Sequence, residues 1–296
     1  MAAAVPARGL IALLRLPYWL MTGGLSLLTA FAITKNPLSL SIQTDLLIFF
    51  SMAFITSAGF AINDYFDRES DAVIKPKRPI PSGALSLKQV VAISALLFTL
   101  GLIMAFFINW LSFAIIAVDS LLLLIYSTLV KRKSGFAANV LVGVLTGTAF
   151  MYGEATITIP PTISLISLSL YPIAFGTIGG NVLRDILSLD GDAKIGYPTL
   201  PQKIGITGSA KTAAVFFTLT GLLAPLPYFL GNFGVYYLPL ILLWSVLLIY
   251  SSIRLVTSAS SVSNVRKYER IVTMSMILLP LALIIEALSP MIGGLL

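Results

Sequence analysis

The sequence contains no cysteine and no histidine among its 296 residues, and only 10% of its residues are charged. Without cysteine there can be no disulfide bond, thiolate metal site or cysteine nucleophile. Without histidine, Ser-His-Asp catalysis and imidazole zinc sites are excluded as well. Any catalytic or metal-binding group must therefore be a carboxylate, an amide, a hydroxyl, a tyrosine, a lysine or an arginine.

The scarcity of charge predicts a membrane protein. A soluble domain carries about 25% charged residues, and several hydrophobic runs here approach the roughly 20 residues needed to cross a bilayer. We predict an all-α polytopic bundle of about nine transmembrane helices that forms a single domain over residues 1–296, because no linker or soluble segment interrupts the series. The predicted spans are Leu10–Ile33, Leu46–Ile62, Val90–Phe107, Trp110–Leu129, Ala137–Tyr152, Thr162–Gly179, Thr212–Phe229, Tyr236–Arg254 and Ile271–Leu288.

The positive charges predict the orientation of this bundle. In the nine-span arrangement, every lysine and arginine except Lys35 falls on one side. Because positively charged loops stay in the cytoplasm, we expect the N-terminus inside and the C-terminus outside. The net charge of +7 therefore indicates contact with membrane lipids and not with nucleic acid.

The negative charges are concentrated in two short segments. More than half of the 12 acidic residues lie just after the second or the sixth predicted span. Together with two amides, they give two sets of oxygen ligands: Asn63, Asp64, Asp67 and Asp71 in the first, and Asn181, Asp185 and Asp192 in the second. Asp64, Asp67 and Asp71 stand at i, i+3 and i+7, and Asp185 and Asp192 are also seven residues apart, with Asn181 one turn before Asp185. On a helix this spacing places each set along one face. Both sets belong to the predicted cytoplasmic side, so we expect them to converge.

These oxygen ligands indicate a site for a hard cation. Mg²⁺ uses one or two protein carboxylates and completes its shell with substrate phosphates, so two facing sets predict magnesium around a diphosphate. Basic residues lie beside both sets, and arginine suits bidentate phosphate binding whereas lysine acts as a point charge. The alternatives are a solvated acidic face and plain cytoplasmic anchors, but ionisable groups at membrane depth are costly and usually functional.

Four segments resemble the UbiA-type prenyltransferase family. Residues 63–71, NDYFDRESD, resemble its NDxxDxxxD motif, and residues 75–83, KPKRPIPSG, resemble the KPxRPIPSG segment beside it. Residues 126–131 resemble its tyrosine–lysine segment, and residues 184–201 resemble its second aspartate motif with the GxxTLP tail. The second motif departs from the family pattern D-x-x-D-x-x-x-D, because Ser188 stands at the middle position and Asp190 lies at a different angle.

The resemblance implies a nine-helix fold and magnesium-dependent transfer of a prenyl group from a prenyl diphosphate to a lipophilic acceptor. The candidate catalytic residues are Asp67, Asp71, Asp119, Tyr126 and Asp185, and the candidate diphosphate-binding residues are Arg15, Lys75, Arg78, Lys131 and Arg184. The residues of the NDYFD and RPIPSG segments most resemble those of family members that act in archaeal ether-lipid synthesis. This resemblance implies geranylgeranyl diphosphate as donor and geranylgeranylglyceryl phosphate as acceptor.

Asp119 stands alone inside the fourth predicted span. An aspartate at the bilayer centre costs about 3 kcal/mol, so we expect this side chain to face the bundle interior. Tyr126 follows seven residues later, two turns along the same face. Two readings are open: Asp119 orients a polar group or helps to deprotonate the acceptor, or it forms a structural hydrogen bond to another helix.

Three alternative functions remain at this point. Within the family, the acceptor could be an aromatic acid of the 4-hydroxybenzoate type or a quinone precursor. A secondary transporter would normally hold its carboxylates near the bilayer midplane, whereas both acidic segments lie at one predicted face. A CDP-alcohol phosphotransferase would carry the signature D-x-x-D-G-x-x-A-R, which this sequence does not contain.

Overall fold

The structure is a computed structural model that describes residues 7–258 and 261–293. Within these ranges all regular elements are helical, and nine helical stretches are long and apolar enough to cross a membrane. In chain order these spans are Ala7–Thr34, Ile42–Phe66, Leu87–Ile108, Trp110–Lys133, Gly135–Ala155, Leu165–Leu187, Leu200–Phe229, Leu238–Ser258 and Val262–Ala287. The prediction of an all-α membrane bundle with about nine spans is confirmed, whereas the orientation of the termini and the single domain stay predictions.

Three spans extend about two turns or more beyond the limits that hydropathy indicates. The sixth ends at Leu187, the seventh begins at Leu200 and the ninth begins at Val262, whereas the sequence predicted Gly179, Thr212 and Ile271 for these limits. The extra turns carry polar residues, which a hydropathy pattern assigns to loops. Their backbone is helical except at Gly205 of the seventh span, where φ of +72° and ψ of 174° mark a kink. Residues 181–185 of the second acidic set therefore lie on the last turns of the sixth span and not after it.

The spans close into a ring. Each span packs against the next one in the chain, and the ninth returns to pack against the first. The fifth span also contacts the first, and this contact crosses the interior of the ring. Small residues permit these close approaches, because van der Waals packing is the main attraction between helices in lipid. At Gly23, for example, a Cβ atom would lie only 2.3 Å from the carbonyl oxygen of Phe49.

The first span is interrupted where it approaches the acidic end of the second span. Its helix Ala7–Leu14 ends at Arg15, whose φ of +50° places a non-glycine residue in the left-handed region. A π-helical turn follows at Leu20–Gly24, and a regular helix continues over Leu25–Thr34. A non-glycine residue with positive φ is uncommon and needs support from its surroundings.

Both acidic motifs share one backbone plan. The second span ends at Phe66, Asp67 leaves the helical geometry with φ −88° and ψ 1°, and a short helix follows at Arg68–Ile74. Likewise, Ser188 breaks the chain with φ −103° and ψ 5°, and a short helix follows at Leu189–Lys194. The expectation that each motif lies along one face of a continuous helix is therefore wrong, because a break separates the early members of each set from the late ones.

Gly179 and Gly180 provide a test of the packing between the sixth and seventh spans. A Cβ atom at Gly179 would lie 2.8 Å from the ring of Phe217 and 3.0 Å from the carbonyl oxygen of Ala213, whereas Gly180 has nothing within 4 Å. We predict that Gly179→Ala destabilises the protein by about 1–3 kcal/mol through overpacking. Gly180→Ala should be neutral or slightly stabilising, because alanine is the better helix former. Thermal unfolding in detergent measures both, and equal melting temperatures would contradict the packing.

Candidate active site

A cleft of about 240 Å³ separates the two acidic motifs at one end of the bundle. Its walls are formed by Ile74, Lys75, Leu187, Ser188, Asp190, Gly191 and Asp192. The methyl group of Ile74 lies 3.9 Å from the position that a Cβ atom would take at Gly191. The two short helices thus face each other across the cleft, and the structure brings together segments that lie more than a hundred residues apart in the chain.

Two arginines neutralise the buried carboxylates of the first motif. Arg15 donates from Nη2 to Asp64 Oδ1 at 2.5 Å. Arg78 donates from Nη1 to the same oxygen at 2.8 Å and to Asp71 Oδ2 at 2.6 Å. Both carboxylate side chains are only 3% exposed. The unusual backbone at Arg15 is what ends the preceding helix beside Asp64, so the break in the first span and the ion pair occur together.

Lys131 neutralises the third carboxylate of this motif. Its Nζ donates to Asp67 Oδ2 and, at 3.4 Å, to the side-chain oxygen Oδ1 of Asn63. Asn63 also donates from Nδ2 to Asp67 Oδ2 at 2.8 Å. Lys131 follows the π-helical turn Tyr126–Val130 at the end of the fourth span. The tyrosine–lysine segment therefore meets the first acidic motif.

Neutral side chains hold the carboxylates of the second motif. Asn139 of the fifth span donates from Nδ2 to Asp185 Oδ2 at 2.7 Å, and Ser188 donates from Oγ to Asp192 Oδ2 at 2.5 Å. Within the described ranges, no lysine or arginine forms an ion pair with either aspartate. The serine that departs from the family pattern thus orients the last carboxylate of the motif.

Arg184 and Asn181 point toward another part of the bundle. Arg184 is 51% exposed, and its Nε lies 3.6 Å from Glu269 Oε1 on the ninth span. Its Nη1 donates to Asn181 Oδ1 at 3.1 Å. Within the described ranges, Arg184 therefore forms no ion pair with an aspartate of either motif, unlike Arg15, Arg78 and Lys131. The predicted roles of these two residues at the diphosphate and at the metal stay predictions.

Tyr197 lies between the two motifs. Its ring centre is 5.6 Å from Lys131 Nζ, and its backbone N–H donates to the Asp192 carbonyl oxygen at 3.0 Å. Burial raises the pKa of the Tyr197 phenol well above its ordinary value, and the neighbouring Tyr126 and the carboxylates of both motifs raise it further. Tyr197 is consequently a neutral hydroxyl that can donate a hydrogen bond into the site.

Lys75 lies at the edge of the same cleft. Desolvation of its ammonium group lowers the pKa of Lys75 below the ordinary lysine value, and the positive charge of Arg78 lowers it further. The side chain lines the cleft opposite Asp190 and Asp192 without forming an ion pair in the described part of the chain. A cation in this position is available to an anionic ligand.

Asp119 faces the interior of the bundle, as predicted. Its side chain is 2% exposed, and its Oδ2 accepts a hydrogen bond from Thr148 Oγ1 on the fifth span at 2.7 Å. Its Oδ1 is buried and has no hydrogen-bond partner among the described residues. The structural hydrogen bond to another helix is therefore present, and the catalytic reading stays a prediction that rests on the free oxygen.

Sequence reasoning missed two residues of this site. Asn139 carries only the weak signal of an amide in an apolar span, and its partner Asp185 lies 46 residues away. Tyr197 belongs to the segment GYPTLP, but nothing in the sequence shows that this segment turns back between the two motifs. Its position follows from contacts such as the hydrogen bond from Gly135 N to the Pro198 carbonyl oxygen at 2.9 Å.

The chemistry of the donor set fits magnesium. The cleft is bordered by Asp190 and Asp192 of the second motif and by Ile74 and Lys75, which follow the first motif, and Asp64, Asp71 and Asp192 are buried. Across residues 7–258 and 261–293, no three acidic side chains already form a closed metal cage. Since Mg²⁺ takes few protein carboxylates and completes its shell with phosphate oxygens, this arrangement suits a metal that is shared with a substrate.

The fold and this site define a polytopic helical membrane protein whose two acidic motifs and clustered cations suit a diphosphate and a metal. The chain matches the UbiA prenyltransferase family over residues 15–279. It therefore belongs to the UbiA prenyltransferase family and is a multi-pass membrane prenyltransferase.

Individual relatives agree with this family. A digeranylgeranylglyceryl phosphate synthase from Natronomonas pharaonis is 36% identical over 235 residues, covering 78% of this chain and 81% of that protein. A solved structure concerning digeranylgeranylglyceryl phosphate synthase in membranes has a TM-score of 0.79 and 30% identity, covering 95% of this chain and 98% of that one. A UbiA homologue from Archaeoglobus fulgidus, bound to GPP and Mg²⁺, shares the fold with a TM-score of 0.67 at 19% identity, covering 93% and 99%.

A comparison of Lys131 with Lys133 distinguishes a residue of the site from a positive charge at the surface. Lys131 contacts Asp67, whereas Lys133 is exposed. We predict that Lys131→Ala lowers kcat/KM for the prenyl diphosphate at least tenfold, because hydrogen bonds to charged groups contribute roughly 1.5–3 kcal/mol. Lys133→Ala removes the same charge two residues away and should change kcat/KM less than twofold. Steady-state diphosphate release measures both, and equal small effects would reduce Lys131 to a membrane anchor.

Proposed function

We propose that this protein transfers a geranylgeranyl group from geranylgeranyl diphosphate to geranylgeranylglyceryl phosphate, with Mg²⁺ as cofactor. The observation that carries prenyl transfer is the single cleft between two acidic motifs with Arg15, Arg78 and Lys131 in contact with the first. The acceptor is supported by the relative from Natronomonas pharaonis, which is 36% identical and is a digeranylgeranylglyceryl phosphate synthase.

The metal would be held by oxygen ligands from both motifs. The candidate ligands are Asn63, Asp64, Asp67 and Asp71 of the first motif and Asp185 and Asp192 of the second, with Asn181 further from the cleft. When bound, Mg²⁺ supplies charge neutralisation for the leaving diphosphate. The protein contributes the placement of the ligands, through the breaks at Asp67 and Ser188 that turn the two short helices toward each other.

The cations of the first motif would bind the diphosphate oxygens. Arg15 and Arg78 offer planar guanidinium groups suited to bidentate phosphate contacts, and Lys131 adds a point charge. Once they contact the bound diphosphate, these groups stabilise the negative charge that develops as the allylic C–O bond breaks. Tyr197 adds a neutral hydrogen-bond donor between the two motifs.

An aromatic row beside Arg15 offers a path for the prenyl chain. The Arg15 guanidinium lies 4.3 Å from the ring centre of Phe60. Phe60 also contacts Tyr18, and the next residue, Trp19, contacts Phe54 and Phe50 with ring-centre distances of 5.7 and 5.9 Å. Such an apolar lining excludes water from a reactive allylic cation, and aromatic faces attract positive charge.

The acceptor step forms an ether. The glycerol hydroxyl oxygen bonds to the first carbon of the geranylgeranyl group, the bond from this carbon to the diphosphate breaks, and the hydroxyl proton must leave. We propose that Asp119 assists this loss through its unpartnered Oδ1, while Thr148 fixes its Oδ2.

Asp119 and its partner allow the two readings to be separated. Asp119→Asn keeps the size of the side chain but removes the base, so we predict at least a tenfold loss of turnover. Thr148→Val removes only the hydrogen bond between the helices and should cost less activity. Turnover measured across pH gives the comparison. Full activity of Asp119→Asn at every pH would leave only the structural hydrogen bond.

The acceptor can be identified directly. Purified protein with geranylgeranyl diphosphate and Mg²⁺ is offered geranylgeranylglyceryl phosphate or 4-hydroxybenzoate in separate reactions. We predict that the ether lipid forms faster, since the cations at the cleft can also bind the phosphate group of geranylgeranylglyceryl phosphate. Mass spectrometry identifies the product. Formation of the ring-prenylated product alone would refute the acceptor but not the prenyl transfer.

We further propose that the active site faces the cytoplasm and that the N-terminus lies inside. The support is the concentration of positive charge beside the site and the isolated Lys35 in the loop between the first two spans. The absence of native cysteine makes single-cysteine labelling clean. In intact cells, an impermeant maleimide should label Ser39→Cys but label Lys77→Cys only after lysis. The reverse pattern would invert the orientation.

A further inference from the structure

We infer that the two acidic motifs take up divalent cations in a fixed order, with the second motif first. The first motif accepts a metal only after a diphosphate has drawn Arg15, Arg78 and Lys131 away from its carboxylates. This inference rests on the proposed function, because the metal and the diphosphate are those of the proposed reaction.

The first motif is neutralised by the protein itself. Asp64 receives two guanidinium groups through one oxygen, Asp71 shares Arg78 with it, and Lys131 contacts Asp67. A metal ion that approached these oxygens would have to displace a charged donor and leave it without an acceptor in a poorly hydrated site. Because an uncompensated buried charge is strongly unfavourable, the first motif resists metal while its cations have no other anion.

The second motif is held without any such competition. Asn139 and Ser188 use only the Oδ2 atoms of Asp185 and Asp192, and both donors are neutral. No cation of the described chain lies within ion-pair distance of either carboxylate. The negative charges of Asp185 and Asp192 repel each other unless a positive group joins them. A divalent cation can therefore bind here without breaking an ion pair.

A diphosphate gives the three cations of the first motif another anion to pair with. Its oxygens are strong acceptors for arginine and lysine, so the three cations can leave the carboxylates and remain paired with negative charge. The carboxylates that they release then face the diphosphate and can bind a second metal. The ion pairs of the first motif thus couple metal binding to the arrival of the prenyl diphosphate.

The order is tested by counting bound Mn²⁺ per chain. Equilibrium binding to the full-length protein in detergent is followed by the loss of the free Mn²⁺ electron paramagnetic resonance signal. We expect one tightly bound Mn²⁺ without diphosphate and two with the unreactive thiolodiphosphate analogue of geranylgeranyl diphosphate. Asp185→Asn should weaken the first ion at least tenfold, whereas Asp71→Asn should leave it unchanged.

Variants at Arg78 and Lys77 provide a matched test and control for the role of the ion pairs. Arg78→Gln frees Asp71 and relieves Asp64, so a second Mn²⁺ should bind without the analogue and at least tenfold more tightly than in the unaltered protein. Lys77→Gln removes the same charge from the exposed neighbouring position and should change nothing. Arg15→Gln repeats the test from the first span, and melting temperatures verify that each variant is folded.

Three outcomes would overturn the order. Two ions bound without the analogue, a first ion lost in Asp71→Asn, or identical binding by Arg78→Gln and Lys77→Gln would each refute it while leaving the proposed function intact. If no Mn²⁺ binds even with the analogue, both the order and the proposed metal-dependent function fail.

Discussion

Negative charge buried near the end of an apolar bundle is the constraint on which this structure depends. Asp64, Asp71 and Asp192 are removed from water, and an ionised carboxylate in such surroundings requires a cation or hydrogen-bond donors. The carboxylates of the first motif are paired with lysine and arginine, whereas those of the second accept hydrogen bonds from an amide and a hydroxyl. This difference gives two acidic motifs of similar spacing different electrostatic character.

The backbone irregularities serve the same requirement. Asp67 and Ser188 end their spans and turn the short helices toward a common cleft, while Arg15 adopts a left-handed conformation beside Asp64. A π-helical turn also comes directly before Lys131, whose side chain reaches Asp67 of the first motif. Irregular backbone near membrane depth is tolerated where it is buried in protein or lines a polar cavity, and these breaks satisfy that condition.

The sequence predicted the number of spans, the motifs and the convergence of the acidic segments, because hydropathy and the order of motifs are local properties of the chain. It did not predict the helix breaks at Asp67 and Ser188, since no proline or glycine marks them. Asn139 and Tyr197 were missed because their importance arises from contacts with distant residues. Arg184 was grouped with the diphosphate ligands by its neighbours in sequence, whereas its side chain turns to Glu269 on another span.

The central claim is that both acidic motifs and their cations form one site for a single diphosphate. An experimental structure with Mn²⁺ and the thiolodiphosphate analogue tests it most directly, because anomalous scattering locates the metal independently of the protein. Metal peaks should lie about 2 Å from carboxylate oxygens of both motifs, with the diphosphate between them and Arg78 turned from Asp71 to a phosphate oxygen. A diphosphate bound elsewhere, or Asp67 and Asp185 separated by more than about 10 Å with metal at only one of them, would contradict it.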